Sequence, residues 1–291
     1  MDLPRAKWRL ILSTPARGSW NMAVDEAILE AAGSGLAPPT LRLYSWSPPC
    51  LSLGFRQPLA DVDSEALLSR GWEIVRRPTG GRSILHTDEL TYSVCGPFSE
   101  PRLAGSVIES YRRLSAALLD ALHSLNIPAQ THPELSKLVG AENNSPGGGT
   151  TGPVCFEVPS SYEITAKGKK LIGSAQSRKR EGVLQHGSLP LQGDLTRITQ
   201  VLVFPEQAGG QPGGETARER AARRLLERAI TAEECLGQPL AWEKAAQAFI
   251  AGFAGTLNLE LQEEELTPGE IRRAEELVRI KYAHPDWTSK A

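Results

Sequence analysis

Residues 76–94 read RRPTGGRSILHTDELTYSV, and their reading decides the fold. A short apolar run, residues 72–75, enters this stretch as a strand and breaks at Pro78-Thr79-Gly80-Gly81. A second extended run follows at residues 83–85, and a third at residues 90–94. Adjacent glycines between strands let a backbone double back and come close to a ligand, because no Cβ obstructs the approach. Most glycine turns are solvated hairpin connections. Here Arg76 and Arg77 enter the turn and His86 leaves it, with apolar strands on both sides. That concentration of chemistry points to a binding loop.

Towards the N-terminus, residues 8–12 read as a strand. Residues 21–32 read as an amphipathic helix, with Met22, Ala23, Ala27 and Ile28 on one side and Asp25, Glu26 and Glu30 mostly on the other. Gly33 and Gly35 end it. Residues 41–46 and 50–55 read as strands paired around Pro48-Pro49, and residues 61–69 as a short helix. Towards the C-terminus, residues 107–125 form the longest helix, with Val107, Tyr111, Leu114, Leu118, Leu122 and Leu125 as its core stripe. NNSPGGGTTGP, residues 143–153, is a loop that leads directly to Cys155. Three strands follow at residues 162–166, 170–176 and 183–189. A second glycine-rich stretch from Pro205 precedes a basic helix over residues 215–229, and residues 242–257 form another helix. Thr231 with Glu234, and Thr267 with Glu270 after Pro268, have the spacing of capping boxes. There is no internal repeat and no clear domain break.

The 291 residues can bury a sizeable core. Hydrophobic residues make up 40% and charged residues 23%, an ordinary globular balance. With 32 basic against 34 acidic residues, the net field argues against a dedicated nucleic-acid binder. No apolar run approaches the roughly 20 residues of a membrane span. The N-terminal apolar run is too short for a secretory signal, so the expected location is the cytoplasm. The four cysteines, Cys50, Cys95, Cys155 and Cys235, are scattered without a CxxC pair or zinc spacing, and no metal site is expected. Cys50 and Cys95 in apolar strands and Cys235 in a short capped helix look structural; Cys155 does not.

The stretch at 76–94 closely resembles the RRxTGGxxxxHxxELxYS signature of the lipoate–protein ligase and octanoyltransferase family, relatives of the biotin–protein ligases. The resemblance implies an α/β (α+β) fold: a mixed, largely antiparallel sheet flanked by helices. It implies one domain over 1–291, with the ligase-like catalytic region at about 35–250 and a C-terminal helical extension at about 260–291. Arg76, Arg77, Gly80, Gly81 and His86 would line the acyl pocket. Gly173, Ser174 and Ala175 in GKKLIGSAQ, and His186 and Gly187 in QHGSL, resemble family residues near it.

The octanoyltransferase branch also lends meaning to Cys155 and Lys170. By resemblance, a cysteine at position 155 forms an acyl thioester and the lysine before GSA lowers its pKa. The physics suits the pair, since a free thiol titrates near pH 8.5 and is only a few per cent thiolate at neutral pH. An ammonium about 4 Å away is worth on the order of 4 kcal/mol at an effective dielectric of about 20, before desolvation opposes it. The implied reaction moves octanoyl from octanoyl-[acyl carrier protein] to a lysine of a lipoyl-carrier protein, such as the glycine-cleavage H protein or a 2-oxoacid dehydrogenase lipoyl domain. It requires no cofactor and no metal, and involves neither nucleic acid nor membrane. Arg178, Lys179 and Arg180 offer a basic run for the acidic carrier. An ATP-dependent lipoate ligase, an octanoyl amidotransferase between lipoyl-carrier proteins and a catalytically dead acyl-binding protein remain alternatives. Arg82 after the glycine pair speaks against the ligase, where a third glycine is more usual, and an intact Cys155 and Lys170 speak against the dead protein.

Overall fold

The computed structural model describes residues 3–131, 163–204 and 215–290. Cys155 and the loop before it lie outside the described residues. An eight-stranded sheet runs in the order β11-β1-β2-β6-β10-β9-β8-β7. Its members are β1 (Ala6–Leu12), β2 (Thr40–Tyr44), β6 (Glu89–Gly96), β7 (Ala129–Thr131), β8 (Ile164–Ala166), β9 (Lys169–Lys179), β10 (Gly182–Pro190) and β11 (Leu259–Glu263). β1 is parallel to both β11 and β2, and every other pairing is antiparallel. A second sheet has β3 (Cys50–Leu53) between β4 (Glu73–Arg76), parallel to it, and β5 (Ile84–His86), antiparallel to it.

Two expected pairings are corrected. β2 and β3 do not pair with each other but lie in different sheets. Pro48-Pro49 fixes φ in the wrong region for a tight hairpin, which wants positive φ, so the chain crosses between sheets there. Nor does the glycine turn double back between neighbours: β4 and β5 sit on opposite edges of β3. The loop therefore passes over the C-terminal end of β3. Phe55 N–H donates to the Thr79 carbonyl at 2.9 Å, and Arg77 N–H to that of Leu53 at 3.0 Å.

On one side of the large sheet, Tyr92 and Val94 pack with Leu114, Leu118 and Leu122 of α3 (Val107–Ser124), and with Phe249 and Phe253 of a helix (Trp242–Thr256). Each such buried side chain removes apolar area worth about 1.5–3 kcal/mol. The expected stripe on α3 starts late, because Val107 is exposed and Tyr111 only half-buried. The first turn instead holds a Ser106–Glu109 capping box.

The other side carries α1 (Gly18–Gly33), which is not amphipathic: residues 21–29 are all buried. It is enclosed between the sheet and the C-terminal helix α7 (Pro268–Leu277) and its continuation, so its polar side chains need buried partners. Asp25 meets Arg42 at 2.8 Å, Glu26 meets Lys281 at 2.6 Å, and outside the helix Arg9 pairs with Glu270. A third cluster joins Leu51 and Leu53 of the small sheet to Leu67 of α2 (Ser64–Ser69), Val201, and Leu225 of α4 (Ala217–Arg228).

Candidate active site

The glycine loop is fixed by its own arginine. Arg77 donates from Nη2 to the carbonyls of Gly80 at 2.8 Å and Arg82 at 2.7 Å, and from Nη1 to the Ser52 carbonyl at 3.0 Å. Gly81 has φ +93°, a region that penalises any Cβ. A Cβ on Gly54 would lie 1.8 Å from the Gly81 carbonyl oxygen, so loop and strand end cross at van der Waals contact. Arg76 points elsewhere. Its guanidinium donates to the carbonyls of Gly54 (2.9 Å) and Gln57 (2.6 Å), and to Thr288 (2.6 Å) in a short C-terminal helix (Pro285–Ser289). Those contacts make it a clamp between the small sheet and the C-terminus.

His86 is buried between two partners. Its Nδ1 lies 2.7 Å from Glu89 Oε1 and its Nε2 lies 2.8 Å from Ser52 Oγ, while its ring stacks on Trp46 at 3.9 Å. His186 faces the loop from β10, with Nε2 2.7 Å from Thr79 Oγ1 and Nδ1 3.6 Å from Asp25 Oδ2. Burial lowers the pKa of His186, with Asp25 pulling the other way. Burial pushes the Asp25 carboxyl up, but His186 and Arg42 outweigh it and hold the group below its ordinary value.

Strand alternation sorts the remaining expected residues. Ala175 is opposite His186 and Gly173 opposite Ser188, on the side that meets the small sheet. Ser174 turns the other way, its Oγ 2.8 Å from Tyr92 Oη among the helices. Gly187 shares that opposite side: a Cβ there would lie 2.4 Å from Ser174 Oγ and 2.8 Å from Tyr92 Cε1. Thus Arg77, Gly80, Gly81, His86, Gly173, Ala175 and His186 gather between the sheets. Arg76, Ser174 and Gly187 do not bring side-chain chemistry there.

Lys170 follows a tight hairpin whose turn residues, Lys167 and Gly168, have φ of 50° and 76°. Its side chain is buried, and Nζ lies 2.5 Å from Glu163 Oε1, both side chains being 6% exposed. Glu163 went unread in the sequence. The hairpin register, which pairs Thr165 with Lys170, was the signal that could have placed an acid beside the lysine. Lys169 instead reaches the Leu226 carbonyl of α4 at 2.5 Å. The basic run is a correction. Arg178 is tied to the carbonyls of Leu103 and Gly105, Lys179 to Glu26, and only Arg180 is exposed. At about 3.3 Å per residue, Arg178 also lies roughly 26 Å along the strand from Lys170, not beside it.

A cleft opens between β5, the start of β6 and α4, lined by Ile84, Leu85, Glu89, Ser188, Ile198 and Leu225. None of the expected pocket residues lines it, although its Glu89 contacts His86. Among the described residues, burial pushes the thiols of Cys50, Cys95 and Cys235 up, which makes all three poor nucleophiles at pH 7. No helix among the described residues is long and apolar enough to cross a membrane.

This architecture is that of the lipoate–protein ligases. A bipartite lipoate protein ligase of Thermoplasma acidophilum superposes with a TM-score of 0.75 at 22% identity, covering 98% of this chain and 97% of that one. A lipoate-protein ligase A bound with ATP superposes with a TM-score of 0.73 at 23% identity, covering 98% and 99%. The chain belongs to the lipoyl protein ligase A/B catalytic domain family, whose profile matches residues 17–254. Within it, the chain is similar to the octanoyltransferase LipM of Brevibacillus brevis, 38% identical over 282 residues, covering 97% of this chain and 98% of the relative. The octanoyltransferase LipM of Kyrpidia tusciae is 41% identical over 282 residues, covering 96% and 97%.

Proposed function

We propose that the chain is an octanoyltransferase that carries the acyl group through a thioester on Cys155. The observation that carries this reading is the near full-length similarity to octanoyltransferases at 38% and 41% identity. The buried Lys170–Glu163 pair supports it by giving the site a lysine already held in place.

In the first half-reaction the Cys155 thiolate attacks the thioester carbonyl of the octanoyl donor. The carbon–sulfur bond to the carrier breaks, and the carrier thiolate leaves and takes up a proton. In the second, a neutral acceptor amine attacks octanoyl-Cys155. The amide forms, the bond to Cys155 breaks, and the proton lost by nitrogen returns to the Cys155 sulfur. Thioester to thioester is nearly isoenergetic and thioester to amide runs downhill, so the sequence of steps needs neither ATP nor a metal. Because Lys170 is paired with Glu163, it acts on the thiolate as one end of a dipole, and its effect falls below that of a bare ammonium.

The donor is octanoyl-acyl carrier protein, and the acceptor is a lipoyl-carrier protein such as the glycine-cleavage H protein or a 2-oxoacid dehydrogenase lipoyl domain. The similarity in fold to a ligase described with its E2 lipoyl domain supports that acceptor class. A donor comparison tests the reading. Octanoyl-acyl carrier protein should label the acceptor without ATP or magnesium. Labelling only with free octanoate or lipoate plus ATP would establish the ligase instead, and labelling only from an octanoylated lipoyl-carrier protein would establish the amidotransferase.

A further inference from the structure

The glycine loop is anchored to the large sheet through a buried chain of polar groups, two of which, Ser52 and Glu89, the acyl-transfer reading does not use. Glu89 on β6 is the terminal acceptor. Its Oε1 receives His86 Nδ1 at 2.7 Å, Ser188 Oγ at 2.8 Å and Thr91 Oγ1 at 2.5 Å. An ionised carboxylate only accepts, so Nδ1 of His86 carries its proton. In the neutral ring Nε2 then accepts, and Ser52 Oγ–H donates to it at 2.8 Å. That leaves a Ser52 lone pair for Arg77 Nη1–H at 3.2 Å. In this tautomer Arg77 donates to Ser52, Ser52 to His86 and His86 to Glu89. Arg77 holds the carbonyls of Gly80 and Arg82 with its other nitrogen. All four relay residues are buried, and Trp46 covers the imidazole face.

We propose that Ser52, His86 and Glu89 are positioning residues of the acyl-transfer site, which act through Arg77 to fix the backbone of the glycine loop. The proposal rests on the acyl-transfer reading only for its catalytic half. Its geometric half concerns the loop alone. His86, by this account, is the middle of a relay that spans the two sheets rather than a wall of the pocket. Oriented loop amides matter to acyl transfer because donors already in place need no reorganisation when charge develops on the acyl oxygen. Glu89 also lines the cleft beside β5, so the relay joins that wall to the loop.

The test uses Ser52→Ala, Ser52→Thr and His86→Phe in the full chain. Ser52→Ala removes one hydroxyl and leaves the backbone contact to Arg77. Ser52→Thr restores the hydroxyl in a residue suited to a strand. His86→Phe keeps a ring against Trp46 and removes both nitrogens. Amide hydrogen exchange at residues 79–83 should quicken on the order of tenfold in Ser52→Ala and His86→Phe, and return towards wild type in Ser52→Thr. Acyl-enzyme formation from octanoyl-acyl carrier protein should slow by a similar factor in the first two and recover in the third, with KM little changed. Unchanged exchange in both variants would overturn the relay, whatever the enzyme acylates. Quickened exchange with unchanged acylation rates would overturn its catalytic part. A wild-type enzyme that forms no thioester on Cys155 would remove the acyl-transfer reading, and the exchange data would still decide the geometric claim.

Discussion

Lys170 Nζ lies 2.5 Å from Glu163 Oε1 in a buried ion pair, so the two charges bear on any neighbouring thiolate with opposite sign. The variants should therefore move in opposite directions. If Lys170 stabilises the Cys155 thiolate, Lys170→Met removes the positive end of the pair, and alkylation of Cys155 at pH 7 should slow at least tenfold. Glu163→Gln removes the negative end of the pair, and alkylation should equal or exceed wild type. The Lys170→Met deficit should shrink above pH 9, where the thiol ionises unaided. Lys169→Met, which loses only a contact to α4, should leave the profile unchanged. Identical alkylation profiles for wild type and Lys170→Met would remove the ion-pair role.

The covalent intermediate gives a second prediction. With octanoyl donor and no acceptor, the enzyme should gain one octanoyl group that hydroxylamine releases. Cys155→Ala should lose the adduct. Cys50→Ala, Cys95→Ala and Cys235→Ala should keep it, since burial pushes those three thiols up. Intact-mass spectrometry reads all four, and an adduct surviving in Cys155→Ala would place the nucleophile elsewhere.

What the sequence disclosed divides by distance along the chain. The capping boxes at Thr231 and Thr267 form as their spacing implied, because both partners lie within one turn. The signature at residues 76–94 was legible because its arginines, glycines and histidine are contiguous. Asp25 and Glu26 were read as the polar side of an amphipathic helix, and their burial was hidden because the residues that neutralise them, Arg42 and Lys281, are remote in sequence. Alternation along β9 could have turned Ser174 away from Ala175, but it needed an anchor such as Tyr92 to say which side was which. The pairing of β4 and β5 with β3 was hidden because a seven-residue connection suits a hairpin and a crossover equally.

The glycines of the loop should separate folding from chemistry. At Gly54 a Cβ would meet the Gly81 carbonyl oxygen at 1.8 Å, so Gly54→Ala must displace the loop. A cost of about 1–3 kcal/mol is expected from such overpacking. Gly80 has nothing within 4 Å of an added Cβ. Gly80→Ala should change stability by no more than about 0.5 kcal/mol. If the loop approaches the acyl carbonyl, Gly80→Ala will nevertheless slow acyl-enzyme formation several-fold. Denaturant midpoints and single-turnover rates on the two variants check both halves, and wild-type rates in Gly80→Ala would take the carbonyl away from that position.

Glu26 contributes a pH dependence to stability. Burial alone would raise its carboxyl, but Lys281, Tyr282 and Lys179 together bring it down to about 2 from 4.5. A carboxylate whose folded pKa is depressed stabilises the fold fully above its unfolded pKa. That contribution is lost as pH falls through the folded value. The window here runs from about pH 4.5 down to about 2. The linkage corresponds to an upper figure on the order of 3 kcal/mol, and the side chain is 11% exposed, so screening removes little of it. Glu26→Gln should thus lower stability at pH 7 by about 2–3 kcal/mol. The gap between wild type and variant should close as the pH approaches 2. Because Lys281 and Tyr282 belong to the segment after α7, hydrogen exchange should show that segment loosening first in the variant. A wild-type minus Glu26→Gln difference that stays constant from pH 7 to pH 2 would mean that the charge of the Glu26 carboxylate contributes nothing to holding the C-terminal segment on α1.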